Sequence, residues 1–212
     1  MTTKAASAGR ARKNFWLKQL HTWHWISSAV SLIGLLLFTI TGFTLNHAGE
    51  IGATPETATK AAQLPAALLV PLSPGGTDDG KRALPAPVAD WIASRFPTEA
   101  KGEAEWSADE VYLPLPRPGG DGWISIDRAT GAVTSEITDR GWISYLNDLH
   151  KGRNSGAVWK WFIDVFAFAS LVFALTGLVL LWIHSKRRRS TWPLVTLGLA
   201  IPATIAVLFI HV

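Results

Sequence analysis

Three apolar runs, each long enough to cross a lipid bilayer, constrain this 212-residue chain more than any other feature of its sequence. They lie at residues 25–45, 158–183 and 194–212. A helix of about 20 apolar residues covers the roughly 30 Å of hydrocarbon in a bilayer. Pro202, inside the third run, is tolerated better in a membrane helix than in a soluble one. The runs therefore predict three transmembrane helices.

The distribution of charge predicts the orientation of these helices. Five Lys or Arg residues and no acidic residue precede the first run, and Lys186-Arg187-Arg188-Arg189 separates the second from the third. Residues 48–156 instead carry 15 acidic against 10 basic side chains. Since cytoplasmic loops are enriched in Lys and Arg, we expect the N-terminus inside the cell and the long segment outside. The basic run at 186–189 is interpreted as a membrane anchor, and no nucleic-acid partner is expected.

These signals predict a mainly α membrane protein with three transmembrane helices and a small external α+β domain between helices 1 and 2. The predicted segments are a basic cytoplasmic N-terminus, helix 1, the external domain, helix 2, a basic cytoplasmic loop and helix 3. They span residues 1–18, 19–47, 48–150, 151–185, 186–192 and 193–212, respectively. Tryptophans at both ends of the runs are typical of an interfacial aromatic belt.

The external segment has the local patterns of a helix packed on a small antiparallel sheet. Residues 56–69 have helical composition interrupted by Pro65, and residues 71–80 are rich in Pro, Gly and Asp, as in loops. An apolar face predicts a helix at 88–96. Strands are predicted at 103–115, 123–127 and 132–137, with turns at 116–122 and 128–131.

Five of the six histidines lie at the rims of the first two apolar runs. His21 and His24 open the first run and His47 closes it, while His150 precedes the second run and His184 ends it. Histidine at membrane depth is costly and usually faces a partner, a cavity or a metal. Facing imidazoles from two helices are what a haem requires. His211, near the C-terminus, is interpreted as an interfacial residue.

The first two runs form a weak inverted repeat. Each carries a Thr-Gly pair toward its later end, Thr41-Gly42 and Thr176-Gly177. Small residues such as Gly42 and Gly177 let helices approach closely, and they equally let a flat macrocycle lie between the helices. Inverted repeats of this kind are known from other membrane proteins.

Antiparallel packing of the two helices predicts two ligand pairs. His47 would lie beside His150 at the outer face, and His21 or His24 beside His184 at the inner face. The sequence does not choose between His21 and His24. The 23 residues from His24 to His47 correspond to about 35 Å of helix, so the pairs would lie on opposite sides of the bilayer.

The absence of cysteine narrows the cofactor chemistry. It excludes disulfides, thiolate metal sites and covalently attached c-type haem, so any haem must be non-covalent and held by histidine. Zinc or copper is the rival use of imidazole, but no H-x₃-H or carboxylate-flanked spacing supports it. Lys151 and Arg153 lie where they could pair with haem propionates, and Asn147 and Asp148 where they could orient an imidazole.

Several motifs resemble the PepSY-associated transmembrane family. They are Leu-His-x-Trp at 20–23, the first Thr-Gly pair followed by Leu45-Asn46-His47, and the LNDLHKGR sequence at 146–153. The resemblance covers about residues 15–188. It implies a PepSY-like external domain, a bacterial inner-membrane location and two b-type haems per chain, held by histidines at the helix ends. Some members of the family reduce ferric siderophores during iron uptake, and larger members have more helices.

The resulting hypothesis is an oxidoreductase that moves electrons across the membrane to a periplasmic acceptor such as a ferric siderophore. No dinucleotide fingerprint is present, so the electrons would come from a cytoplasmic donor or from quinol. The sequence does not fix the oligomeric state, and a homo-oligomer is one alternative. The alternative is a non-enzymatic accessory protein whose membrane helices anchor a binding or protease-regulating domain.

Overall fold

The computed structural model describes residues 2–52, 54–73, 79–98 and 100–210. The chain divides into two compact units, one made of residues 1–37 with 162–212 and the other of residues 38–161. Helix α1 (Thr2–Asn46) and helix α5 (Gly156–His184) each contribute to both units. His211 lies outside the described residues.

Among the described residues, three helices are long and apolar enough to span a membrane, which confirms the predicted number. They cover Gly9–Asn46, Gly156–Arg187 and Thr191–Phe209, the last being helix α6. Most of their apolar side chains are exposed, as required of helices whose solvent is lipid. At 1.5 Å per residue, the 38 residues of the first candidate span about 57 Å. Helix α1 therefore extends well beyond the hydrocarbon at one or both ends.

The second unit contains a six-stranded antiparallel sheet with the strand order β1-β6-β5-β4-β3-β2. The strands are β1 (Glu56–Gln63), β2 (Gly80–Ala83), β3 (Glu103–Trp106), β4 (Glu110–Pro114), β5 (Gly120–Asp127) and β6 (Ala132–Asp139). The short helix α2 (Ala66–Leu69) and helix α3 (Ala86–Arg95) lie between strands, and helix α4 (Gly141–Lys151) follows the sheet. The α+β domain inserted between the first two spans is thereby confirmed.

The core of this domain lies between helix α3 and one face of the sheet. Val88 and Ile92, one helical turn apart, are fully buried, and the alternate residues Ile124 and Ile126 of β5 are buried in the same cluster. This pattern of one buried and one outward face is what the alternation in 123–127 and 132–137 predicted.

The predicted turn at 128–131 joins β5 to β6. The Asp127 carboxylate accepts hydrogen bonds from the backbone N–H groups of Ala129 and Thr130 and from the Thr130 hydroxyl. Those donors, Thr130 foremost, hold the pKa of Asp127 below its ordinary value.

Three local predictions for the external segment are wrong. Residues 56–63 form strand β1, not a helix, because all eight residues pair with β6 and pairing overrides the helical propensity of Ala, Lys and Gln. The predicted strand at 103–115 is two strands, separated by a turn in which the Ser107 N–H binds the Glu110 carbonyl. Strand β2 begins at Gly80, the end of a predicted loop.

Candidate metal centre

His24 packs against helix α5 at the Thr-Gly pair of that helix. Its Nδ1 lies 2.9 Å from the hydroxyl oxygen of Thr176. A β-carbon at residue 177 would lie 3.2 Å from Cε1 of His24, so Gly177 leaves the space that the imidazole needs. The ring also stacks on Phe173, with centroids 4.9 Å apart. Helix α5 thus fixes both the position and the plane of this imidazole.

His150, which belongs to helix α4, has similar surroundings in the other unit, where it packs against helix α1. Its Nδ1 lies 2.7 Å from the hydroxyl oxygen of Thr41 in helix α1, and its Cε1 would lie 3.5 Å from a β-carbon at Gly42. The ring contacts Phe38 at a centroid distance of 4.8 Å. A histidine from another helix therefore packs against each Thr-Gly pair, so the two halves of the weak sequence repeat make equivalent contacts.

The hydrogen bonds of the threonine hydroxyls are compatible with a tautomer of these two histidines that carries its proton on Nδ1. Thr176 donates its hydroxyl hydrogen to the Val172 carbonyl at 2.7 Å, and Thr41 donates to the Phe38 carbonyl at 3.2 Å. With its hydrogen committed, each hydroxyl oxygen accepts from the imidazole Nδ1–H. The proton then resides on Nδ1, and Nε2 keeps the lone pair that a metal ligand requires.

The other three described histidines reach the same state by a different route. In each, Nδ1 lies within hydrogen-bond distance of the backbone carbonyl four residues earlier in its own helix. The pairs are His21 with Leu17 at 2.8 Å, His184 with Leu180 at 2.8 Å and His47 with Phe43 at 3.0 Å. A carbonyl only accepts, so Nδ1 carries the proton. In the neutral form of all five histidines in the described part of the chain, this tautomer leaves the lone pair on Nε2.

His21 is the histidine whose ring faces His184. The ring centroids are 6.5 Å apart and the ring planes are nearly perpendicular, at 85°. Two imidazoles bound through Nε2 on opposite sides of one metal, each at about 2.0 Å, have centroids roughly 6.4 Å apart. The centroid separation of His21 and His184 is compatible with that arrangement.

A groove of about 730 Å³ lies along helix α5 and is lined by His184 of this pair, whereas His21 is not among its lining residues. Its lining includes His24, Gly177 and His184, and Arg187 and Arg188 line it as well. Pockets of roughly 300–1,000 Å³ hold cofactor-sized ligands. The groove joins apolar walls to two guanidinium groups, a combination that matches a porphyrin ring with its propionates.

The outer histidines are not brought together in the same way. In the described residues there is no ring contact between His47 and His150, nor between His24 and His184. His150 lies at the level of Thr41, and six residues of helix, or about 9 Å, separate Thr41 from His47. A shared ligand at the outer face would need His47 or His150 to move from these positions.

The residues beside His150 position its helix. Asn147 accepts a hydrogen bond from the Thr44 hydroxyl of α1 at 2.9 Å. The buried Asp148 carboxylate accepts from the Gly119 N–H at 2.9 Å and pairs with Arg153 at 3.2 Å. These two side chains therefore dock helix α4 instead of orienting an imidazole directly, and Arg153 is committed to Asp148. Lys151 is exposed at the end of α4.

Sequence reasoning missed Thr41 and Thr176 as partners of the imidazoles. The signal was present, since the two threonines occupy equivalent places in the repeat, but only the glycines beside them were interpreted, as residues that allow close helix packing or a macrocycle. Among residues 2–52, 54–73, 79–98 and 100–210, no three His, Asp or Glu side chains gather as a metal cluster. The inner and the outer histidine sites of the described residues each supply two imidazoles at most.

Comparison with known proteins identifies one family. The model of the family described as "Putative PepSY_TM-like" matches residues 15–211. The match covers nearly the whole chain, which therefore belongs to this family. No curated protein and no solved structure matches the chain.

Proposed function

We propose that this member of the PepSY_TM-like family is a b-type haem protein of the bacterial inner membrane that passes electrons to an acceptor outside the cytoplasm. The observation that carries the proposal is the pair His21 and His184, whose rings lie 6.5 Å apart with both Nδ1 atoms committed to backbone carbonyls. A bound haem would supply one-electron chemistry between Fe(III) and Fe(II).

The residues around the groove suggest how the haem is held. His21 and His184 would hold the haem iron, and their hydrogen bonds to the carbonyls of Leu17 and Leu180 would keep each ring oriented. Arg187 and Arg188 line the groove and would pair with the haem propionates.

A second haem at the outer face is also part of the proposal, with His150 and His47 as its ligands. Its support is chemical: both histidines carry the proton on Nδ1 and leave Nε2 available. His150 is the better oriented of the two, because Thr41 and Gly42 hold it from the side of α1. Binding would draw His47 toward the level of His150.

The acceptor proposed from the family resemblance is a ferric siderophore in the periplasm. One electron delivered to its Fe(III) gives Fe(II), which hard oxygen ligands hold less tightly, so the iron is released. The charge pattern supports this orientation: residues 186–189 are basic and would lie in the cytoplasm, whereas the acidic segment 48–150 would face the periplasm. The electrons would enter from a cytoplasmic donor or from quinol.

The outward face of the sheet gives the rival function some support. Tyr112 and Trp123 stack there with centroids 6.1 Å apart. Burial, followed by the nearby carboxylates of Asp121 and Glu105, raises the pKa of Tyr112. An acidic face with an aromatic centre could bind a basic partner, as expected of a membrane-anchored accessory protein. That function requires no haem, so the haem content of the protein separates the two.

Single alanine substitutions test the proposed ligands. His21→Ala and His184→Ala should each lose one haem per chain, and added imidazole should restore it by occupying the vacated position. His24→Ala is the matched control on the same helix as His21, and it should keep that haem. If His21→Ala and His184→Ala both retain the full haem content of the unaltered protein, the inner site is not the one proposed.

A further inference from the structure

Helix α4 (Gly141–Lys151) buries the polar residues Asn147 and Asp148 and exposes three of its apolar residues. Asn147 and Asp148 are almost fully buried, Asp148 with 6 % of its surface exposed. Trp142 is 76 % exposed, and Ile143 and Leu146 are exposed as well. A soluble amphipathic helix shows the opposite arrangement. The exposed side of α4 is therefore built for a solvent that is not water.

The three exposed apolar residues form one continuous surface. Trp142 and Leu146 are four residues apart and lie one above the other on the helix. Ile143 lies about 100° around the axis from Trp142, within the width of a single apolar stripe. Asp148 is two residues after Leu146, about 200° away. We call Trp142, Ile143 and Leu146 the outer face of α4.

Contacts with the membrane-spanning helices place α4 where the spans leave the membrane. Thr41 and Thr44, in the last turns of α1, bond to His150 and Asn147. The Trp159 indole, in the first turn of α5, donates to the Leu149 carbonyl at 2.9 Å. Helix α4 is thus tied to the ends of two spans and lies at their level.

We propose that α4 is an interfacial helix, with its outer face inserted among the lipid headgroups and upper acyl chains of the membrane. Tryptophan is enriched at this depth because its ring is apolar and its N–H can remain hydrated. Lys151, exposed at the end of α4, is a cation suited to headgroup phosphates. The occupant of the outer face is lipid, in continuity with the lipid around α1 and α5.

This arrangement explains why the helix buries a carboxylate. With apolar side chains committed to lipid, the protein-facing side must hold α4 by polar contacts. Asn147 supplies the bond to α1, and Asp148 supplies the bond to Gly119 and the ion pair with Arg153. The helix is then fixed between membrane and sheet, and His150 is held at headgroup depth. The inference does not depend on haem binding.

Site-directed spin labelling can test the proposal cleanly, because the chain contains no cysteine. Single variants Trp142→Cys, Ile143→Cys and Leu146→Cys would be labelled in the full-length protein in phosphatidylcholine–phosphatidylglycerol nanodiscs. Collisions with oxygen, which concentrates in lipid, would be compared with collisions with a water-soluble nickel chelate. Leu171→Cys on the exposed surface of α5 is the lipid control, and Thr59→Cys on the exposed strand β1 is the water control.

The proposal expects the labels on the outer face of α4 to collide more with oxygen than with nickel, at a shallower depth than the label at 171. Labels that match position 59, with nickel collisions dominant, would overturn it by showing a water-facing helix. Immobile labels shielded from both reagents would also overturn it, since a protein partner would then cover the face. Three separate sites keep the test decisive if one variant fails to fold.

Discussion

Replacement of Asp148 by alanine should loosen the contact between the sheet and helix α4. The carboxylate is buried, and it accepts the Gly119 N–H at 2.9 Å. Gly119 has φ +72°, and a β-carbon there would lie 2.6 Å from Cα of Tyr145, so the loop fits closely against the helix. In Asp148→Ala the Gly119 N–H loses its acceptor without gaining access to water.

The size of the effect follows from the cost of an unsatisfied buried donor. That cost is about 1–3 kcal/mol. Because 1.4 kcal/mol corresponds to tenfold in an equilibrium constant, the Gly119 amide should exchange its hydrogen roughly 5- to 150-fold faster. Hydrogen exchange of the peptide containing residue 119, measured by mass spectrometry in nanodiscs, reports this local opening without global unfolding.

Asp148→Asn is the matched control, since its amide oxygen can still accept the Gly119 N–H. It loses only the ion pair with Arg153, whose side chain is about half exposed, and such pairs contribute about 0–1 kcal/mol. Exchange at Gly119 should therefore rise much less than in Asp148→Ala. Equal exchange at Gly119 in the unaltered protein and in Asp148→Ala would refute the docking role assigned to this carboxylate.

Two other substitutions test packing and electrostatics. Gly34→Ala should weaken the association of α1 with α5 and lower the melting temperature in detergent, because its β-carbon would lie 2.4 Å from the Phe166 ring. The control Gly198→Ala has open space around the new β-carbon and should not lower the melting temperature. Equal melting temperatures for Gly34→Ala and Gly198→Ala would contradict this packing. In Tyr145→Phe, Tyr112 is the last tyrosine, and its phenolate absorbance should appear above the ordinary pKa of 10.0. Because the pKa of Tyr112 is higher in the folded than in the unfolded protein, the unfolded protein ionises first as the pH rises. The contribution of Tyr112 to stability is therefore present below pH 10 and falls as the pH rises toward the folded pKa. A midpoint of the phenolate absorbance at or below pH 10 would contradict this prediction.

The elements that the sequence predicted well are those whose pattern is local. The three spans follow from length and composition, and helix α3 and strands β5 and β6 follow from the spacing of their buried residues. Strand β1 has no such pattern, because it is exposed along most of its length and owes its conformation to pairing with β6. Long-range pairing of this kind is not encoded in local propensity.

The sequence predicted which residues form the candidate site but not how those residues are arranged in space. Histidines at the rims of two apolar runs identified the residues. Their partners are remote in the chain, with Thr176 152 residues after His24 and Thr41 109 residues before His150. The facing of His21 and His184 depends on the register between α1 and α5, which no local pattern fixes. Helix α4 was missed because its polar residues are buried, the reverse of the usual rule.

The central claim of a haem-dependent electron path is tested most directly by the optical spectrum of the purified full-length protein. It would be expressed with ample haem and recorded oxidised and dithionite-reduced, with haem quantified per chain. The account predicts a red protein with a low-spin b-type spectrum and about two haems per chain, as two bis-histidine sites require. One haem per chain, lost in His184→Ala, would retain the inner site and contradict the outer one. A colourless protein would contradict the electron path altogether and favour the anchored accessory domain.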